Sequence, residues 1–200
     1  MSRAIAPALL TAVALGLAAA AEAKPVETLR YSYYTVSGDT AEAIYRAMLR
    51  RGPRVKGAKA YASTSAVTTR ESKLQQGSAC RIVDYRLRLD FVMKLPRIKN
   101  ETVLPPDDRR LWKRFSVFLK EHEDTHRRIW LDCAADLERK VRMISAKSCK
   151  DVDRKAAQLW DRVSAACDRK HAAFDAAEQR RLMSHPFMKR VYQRAVETPD

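Results

Sequence analysis

His122 and His126 stand four residues apart with a carboxylate between them, in the run Glu121-His122-Glu123-Asp124-Thr125-His126. On a helix, positions i and i+4 share a face. Both imidazoles can then close on one ion at bonds of roughly 2.0–2.1 Å, with Glu123 beside a water on that ion. The chemistry this spacing implies is hydrolysis by a zinc-activated water, with Glu123 as general base. The plainer reading is two hydrogen-bonded core histidines. Burying two imidazoles beside a carboxylate without a partner is costly, which favours the metal.

A helix must carry the pair, and the flanking residues predict one from about Asp108 to Ile144. Leu104-Pro105-Pro106-Asp107-Asp108 halts the preceding segment, and an Asp is expected to cap the helix. The apolar stripe Leu111, Phe115, Phe118, Ile129, Cys133, Leu137, Val141 and Ile144 steps by three and four, and His122 and His126 fall on it. Both rings therefore point inward. A second long helix is expected from near Ser148, a capping residue, to about Met183, with the stripe Val152, Ala156, Trp160, Val163, Cys167, His171, Phe174 and Glu178. Its far end turns polar, because His171, Asp175 and Glu178 share one surface. If the two helices pack antiparallel, that surface lies level with His122 and His126, and any of the three can supply a third zinc ligand. The bland alternative is a His171–Asp175 pair on a solvated helix, with Arg180 or Arg181 balancing Glu178. Asp132 occupies the third-ligand place of the longer zinc motif. That motif needs a glycine where this chain has Ile129, and on an unbroken helix Asp132 faces about 120° away from His126.

Ahead of these helices the sequence reads as a small sheet. Leu29 to Val36 is Tyr-rich and breaks at Ser37-Gly38, which predicts a strand. Ala41 to Arg51, preceded by Thr40 and stopped by Gly52-Pro53, predicts a short helix. Residues 57–70 read as a further strand. Cys80 to Leu95 alternates most clearly, with Tyr85, Leu87, Leu89 and Phe91 on one face and Asp84, Arg86, Arg88 and Asp90 on the other, as in an antiparallel sheet with one wet side. The expected fold class is α+β: a small antiparallel sheet on a long active-site helix and a second long C-terminal helix.

The chain has 200 residues, 46% of them hydrophobic, enough for a core without staples. Met1-Ser2-Arg3, the apolar run Ala4 to Ala20 and the small-x-small Ala21-Glu22-Ala23 read as a signal peptide cleaved near Ala23. That leaves residues 24–200 as one expected domain, secreted or periplasmic, with no stable membrane span. Four cysteines, Cys80, Cys133, Cys149 and Cys167, then suggest two disulfides. On one continuous helix Cys149 and Cys167 would lie about 27 Å apart, which removes that pairing. The expected bonds are Cys80 with Cys149 and Cys133 with Cys167, against the plainer reading that one or more thiols are buried and free. The net charge of +15 is spread in pairs such as Arg109-Arg110, Arg127-Arg128, Arg180-Arg181 and Lys189-Arg190 rather than gathered in an arm. For an exported chain this points to a solvated basic surface or an anionic envelope polymer, and no nucleic-acid partner is expected.

Taken together, Tyr33-Tyr34-Thr35-Val36-Ser37-Gly38 with Thr40, Gly52-Pro53, Ala62-Ser63-Thr64, Cys80-Arg81, Trp112 and Phe115 ahead of His122-Glu123-x-x-His126, Ser148-Cys149 and Phe174-Asp175 carry a resemblance. The chain resembles the bacterial family of predicted secreted zinc-dependent proteases, domain of unknown function 922, over most of its length after the leader. The resemblance implies a zincin-like fold and a metallopeptidase acting on a peptide or protein of the cell envelope. The family's last motif runs from an aromatic-Asp pair to a Thr and a His-Gly. Here Phe174-Asp175 is kept, but Glu178 stands for the Thr and Arg180-Arg181 for the His-Gly. The expected site is therefore zinc on His122, His126 and Asp175, with His171 and Glu178 as alternative third ligands and Glu123 as base. His171, His185 or a tyrosine is the further donor to the carbonyl. The competing expectation is a non-catalytic envelope protein, stabilised by the metal and binding an anionic partner, which the altered end of that motif favours.

Overall fold

The structure is a computed structural model that describes residues 25–197, so the expected signal peptide at residues 1–23 lies outside the described residues. The chain runs β1 (Val26–Val36), α1 (Ala41–Arg51), a hairpin of β2 (Arg54–Val55) and β3 (Ala58–Lys59), then β4 (Ser63–Gln76) and β5 (Cys80–Ile98). It continues into α2 (Pro106–Val141), the short β6 (Ser145–Ala146), α3 (Cys149–Ser184) and α4 (Pro186–Glu197). This is the expected α+β arrangement, a small sheet against two long helices.

β5 is the central strand, flanked by β1 and β4, and its alternation suits it to be covered on one face only. Tyr85, Leu87, Leu89, Phe91 and Met93 are buried against the helices, while Arg86 and Arg88 are exposed on the outer face. β4 lies antiparallel to it, with Ala66 opposite Phe91. β1 lies parallel on its other side, with Leu29 opposite Phe91 and Val36 opposite Ile98, so the sheet is mixed rather than wholly antiparallel. Alternation within a strand fixes its two faces and leaves its direction open. Beyond the start of β1, α2 completes the edge of β5: the Glu138 carboxylate accepts from the Leu87 N–H at 2.6 Å and Arg142 donates to the Tyr85 carbonyl at 3.3 Å. β6 then pairs with Cys80 and Arg81. Side chains thus stand in for a missing stretch of strand, and they fix α2 on the sheet.

The expected strand over residues 57–70 divides. Its first part is the β2–β3 hairpin, turned by Lys56 (φ 49°) and Gly57 (φ 85°), and the long strand begins only at Ser63. The expected caps divide as well. Thr40 and Ser148 cap α1 and α3, with Thr40 Oγ1 accepting from the Ala43 N–H and Ser148 Oγ from the Asp151 N–H. α2 instead begins at Pro106 after Pro105 with no side-chain cap. The buried Asp108 carboxylate reaches across to accept from the Ala41 N–H at 3.0 Å, serving the start of α1, and faces Arg190 of α4 at 3.7 Å. α4 was not expected from the sequence. It follows the His185-Pro186 break and buries Phe187, Met188 and Val191.

Two apolar clusters result. One gathers β1, α1, the end of β5, the first turns of α2 and α4, around Phe115 and Phe187 stacked at 4.6 Å. The other gathers the first half of β5 with the later turns of α2 and the first turns of α3. Cys80–Cys149 ties β5 to the start of α3 with Cα atoms 5.1 Å apart, and Cys133–Cys167 ties α2 to α3 at 6.0 Å. These are the pairings expected from the sequence, and they fit folding in an oxidising compartment. Among the described residues, no helix is long and apolar enough to cross a membrane.

Candidate metal centre

Between the two clusters, α2 and α3 lie antiparallel and face each other with polar side chains. α3 presents Cys167, His171 and Asp175 at four-residue intervals, so all three fall on one stripe. Opposite them α2 presents Cys133, His126 and His122. His126 lies seven residues before Cys133 and Asp175 eight residues after Cys167, so helices pinned at that disulfide bring His126 and Asp175 level. That register was the signal that separates Asp175 from His171 and Glu178.

Three ligand atoms converge. His122 Nε2 and His126 Nε2 are 3.1 Å apart, and Asp175 Oδ1 lies 3.3 Å from the first and 2.9 Å from the second. Bonds of about 2.0–2.1 Å to zinc imply a tetrahedral edge of roughly 3.3 Å, so the three separations match one face of such a site within a few tenths of an ångström. The donor set also suits the metal: two imidazole nitrogens and one carboxylate oxygen, held on two rigid helices. Burial holds His122, His126 and His171 below the ordinary histidine pKa, against the pull of Asp175 on all three, which favours the neutral, metal-binding form. Lone pairs facing one another at these distances repel unless a proton or a cation joins them. Phe174 walls the cluster, its ring centroid 4.8 Å from that of His122 and 5.1 Å from that of His126. The side chain of Asp175 is 56% exposed while those of the histidines are 20% and 15%, so the cluster opens to solvent on the α3 side.

Glu123 lies next to this group and is buried, at 5% exposure. Burial pushes its carboxyl up to about 7, helped by the charge of Asp175 and opposed by hydrogen bonding from Thr64. The Thr64 hydroxyl also donates to the Glu123 backbone carbonyl at 3.0 Å, which anchors this turn of α2 on β4. Thr64 carries no periodic signal and stands out in the sequence only within the Ala62-Ser63-Thr64 run. β4 is an outer strand of the sheet, and between it and α3 lies a groove of about 430 Å³ lined by Thr68, Arg70, Ala157, Trp160 and Asp161.

The remaining candidates fall elsewhere. His171 Nδ1 lies 2.8 Å from His126 Nδ1, on the side of that ring away from the convergent atoms. Glu178 pairs with Arg181 at 2.8 Å. Asp132 is exposed, as the helical wheel required. His185 packs against Phe115 and Phe118, and its Nδ1 accepts from the Phe187 N–H at 3.2 Å, so it serves the start of α4 rather than the cluster.

No curated protein and no solved structure matches the chain. The model of one family, described as a bacterial protein of unknown function (DUF922), matches residues 31–183, a span from β1 almost to the end of α3 that contains His122, Glu123, His126 and Asp175. The chain belongs to this DUF922 family of bacterial proteins.

Proposed function

We propose that the protein is a zinc-dependent peptidase of the cell envelope, secreted or periplasmic, with His122, His126 and Asp175 as zinc ligands and Glu123 as general base. The observation that carries this reading is the convergence of two imidazole Nε2 atoms and one carboxylate oxygen at 2.9–3.3 Å, one residue from a buried glutamate. Zinc bound there would supply a Lewis acid that lowers the pKa of its water toward ~7 and polarises the scissile carbonyl. The two imidazoles present neutral lone pairs and Asp175 contributes the negative charge. Glu123 takes the proton of the attacking water on its carboxylate and delivers it to the leaving amine. A carboxyl held near 7 by its surroundings suits that exchange at neutral pH. The outer edge of β4, which pairs with no strand among the described residues and lies beside the groove toward α3, offers an extended peptide a strand to pair with.

The test is the Glu123→Gln variant. It should retain about one zinc per chain and hydrolyse a peptide library about 10²–10⁴-fold more slowly than the wild type. Undiminished hydrolysis by that variant sinks the mechanism. A wild type that holds zinc, melts higher with it and turns over no peptide supports instead the non-catalytic, metal-stabilised protein that the Arg180-Arg181 replacement of the family's His-Gly suggests.

A further inference from the structure

Resting on that assignment of the ligands, we propose that His171 is a positioning residue for the metal: it fixes the tautomer and the orientation of His126, and does not bind the ion. A neutral imidazole carries one N–H, so a ring that offers its Nε2 lone pair must hold its proton on Nδ1. The Nδ1 of His126 meets the Nδ1 of His171 at 2.8 Å. In the tautomer that leaves Nε2 free for a ligand, the His126 Nδ1–H donates and the His171 Nδ1 accepts, which places the His171 proton on its own Nε2. That nitrogen faces Cys167 Sγ, a weak acceptor, at 3.8 Å. Each atom along this line has one role, and reversing the hydrogen bond would put the proton of His126 on Nε2, where the ion belongs.

His171 is well held for the task. It sits one turn from Cys167, whose disulfide to Cys133 fixes the spacing of α2 and α3 at that level. Its ring lies against Trp130 of α2 with centroids 5.0 Å apart, and against His126 at 5.0 Å. The stripe Cys167, His171, Asp175 therefore reads as a staple, an orienting imidazole and a ligand carboxylate, each one turn from the next. Groups that accept from the outer nitrogen of a metal-binding histidine are usually carboxylates, carbonyls or water, and removing one typically lowers metal affinity by 10–100-fold. An imidazole in that place keeps the same hydrogen bond without adding a charge.

The experiment measures the zinc dissociation constant of the oxidised protein by competition with a chromophoric chelator, for the wild type, His171→Phe and His171→Gln, and records the absorption of the cobalt(II) forms. His171→Phe keeps a ring against Trp130 and removes the acceptor. It should weaken zinc by about 10–100-fold while its cobalt spectrum retains the wild-type band pattern. His171→Gln, whose amide oxygen can accept, should recover most of the lost affinity. Zinc affinity in His171→Phe within twofold of wild type, with both disulfides intact, overturns the inference, as does a cobalt spectrum showing one nitrogen ligand fewer. A wild type with no zinc affinity removes the ligand assignment itself, a different result.

Discussion

The α2–α3 pair is joined at two levels by two kinds of chemistry. At Cys133–Cys167 the link is covalent, and Cys133 and Cys167 are almost fully buried. Two to three turns away, at His122, His126 and Asp175, the link is a set of acceptor atoms facing one another, with an exposed carboxylate as its outer member. The first level holds the helices at a fixed distance with or without metal, as long as the disulfide stays oxidised. The second is favourable only when a cation or a proton occupies it. A stable fold can therefore carry an unfavourable polar cluster, because its geometry is set by neighbours that do not depend on it.

The largest effect on stability should come from breaking the covalent level. Replacing both Cys133 and Cys167 by Ala should lower the free energy of unfolding by about 2–4 kcal/mol in chelator, measured by urea titration. Free zinc at a hundredfold excess over its dissociation constant should return about 2.7 kcal/mol, if the variant still binds. A variant whose zinc affinity is unchanged would show that the staple does not position the ligands.

An effect of similar or smaller size separates the polar level from the rest of the core. Glu123 has a folded pKa raised from 4.5 to about 7, so its contribution to stability is fully present below 4.5 and is lost as the pH rises through about 7. The histidines are depressed below 6.5, so theirs is present above that value and is lost as the pH falls through their lowered pKa values. In chelator, Glu123→Gln should be more stable than the wild type at pH 8, by on the order of 3 kcal/mol at most, and should lose that advantage by pH 5. Equal stability of the two proteins at pH 8 would show that the carboxyl is not held in a desolvated place. A Glu123→Gln protein that is more stable at pH 8 would mean instead that the carboxylate proposed as the base lowers stability, a combination common at active sites.

Much of this comparison was legible in the residues. The His122–His126 pair needed only the helical period, and the strand around Leu87 and Leu89 only alternation, because both signals are local. The helical stripe alone did not separate Asp175 from His171 and Glu178, and the preference for it came from the resemblance at Phe174-Asp175; the register of α3 on α2 is what brings Asp175 Oδ1 within 3.3 Å of both Nε2 atoms. The parallel direction of β1 was hidden for the same reason: it depends on where the chain returns rather than on what the strand is made of. The Asp107-Asp108 pair signals a cap for the helix it precedes, yet neither side chain caps α2, and Asp108 serves α1 instead. An aspartate at a helix start signals a cap by its neighbours in sequence, and here the nearer N–H in space was that of Ala41. α4 follows a proline that in sequence reads as an end.

A count of metal tests the proposed ligand set most directly. Protein purified with zinc and dialysed against metal-free buffer should hold about one zinc per chain in the wild type and in Glu123→Gln, and well below one in His126→Ala and Asp175→Ala. Zinc near zero in the wild type, or an undiminished zinc content in both His126→Ala and Asp175→Ala, would contradict it.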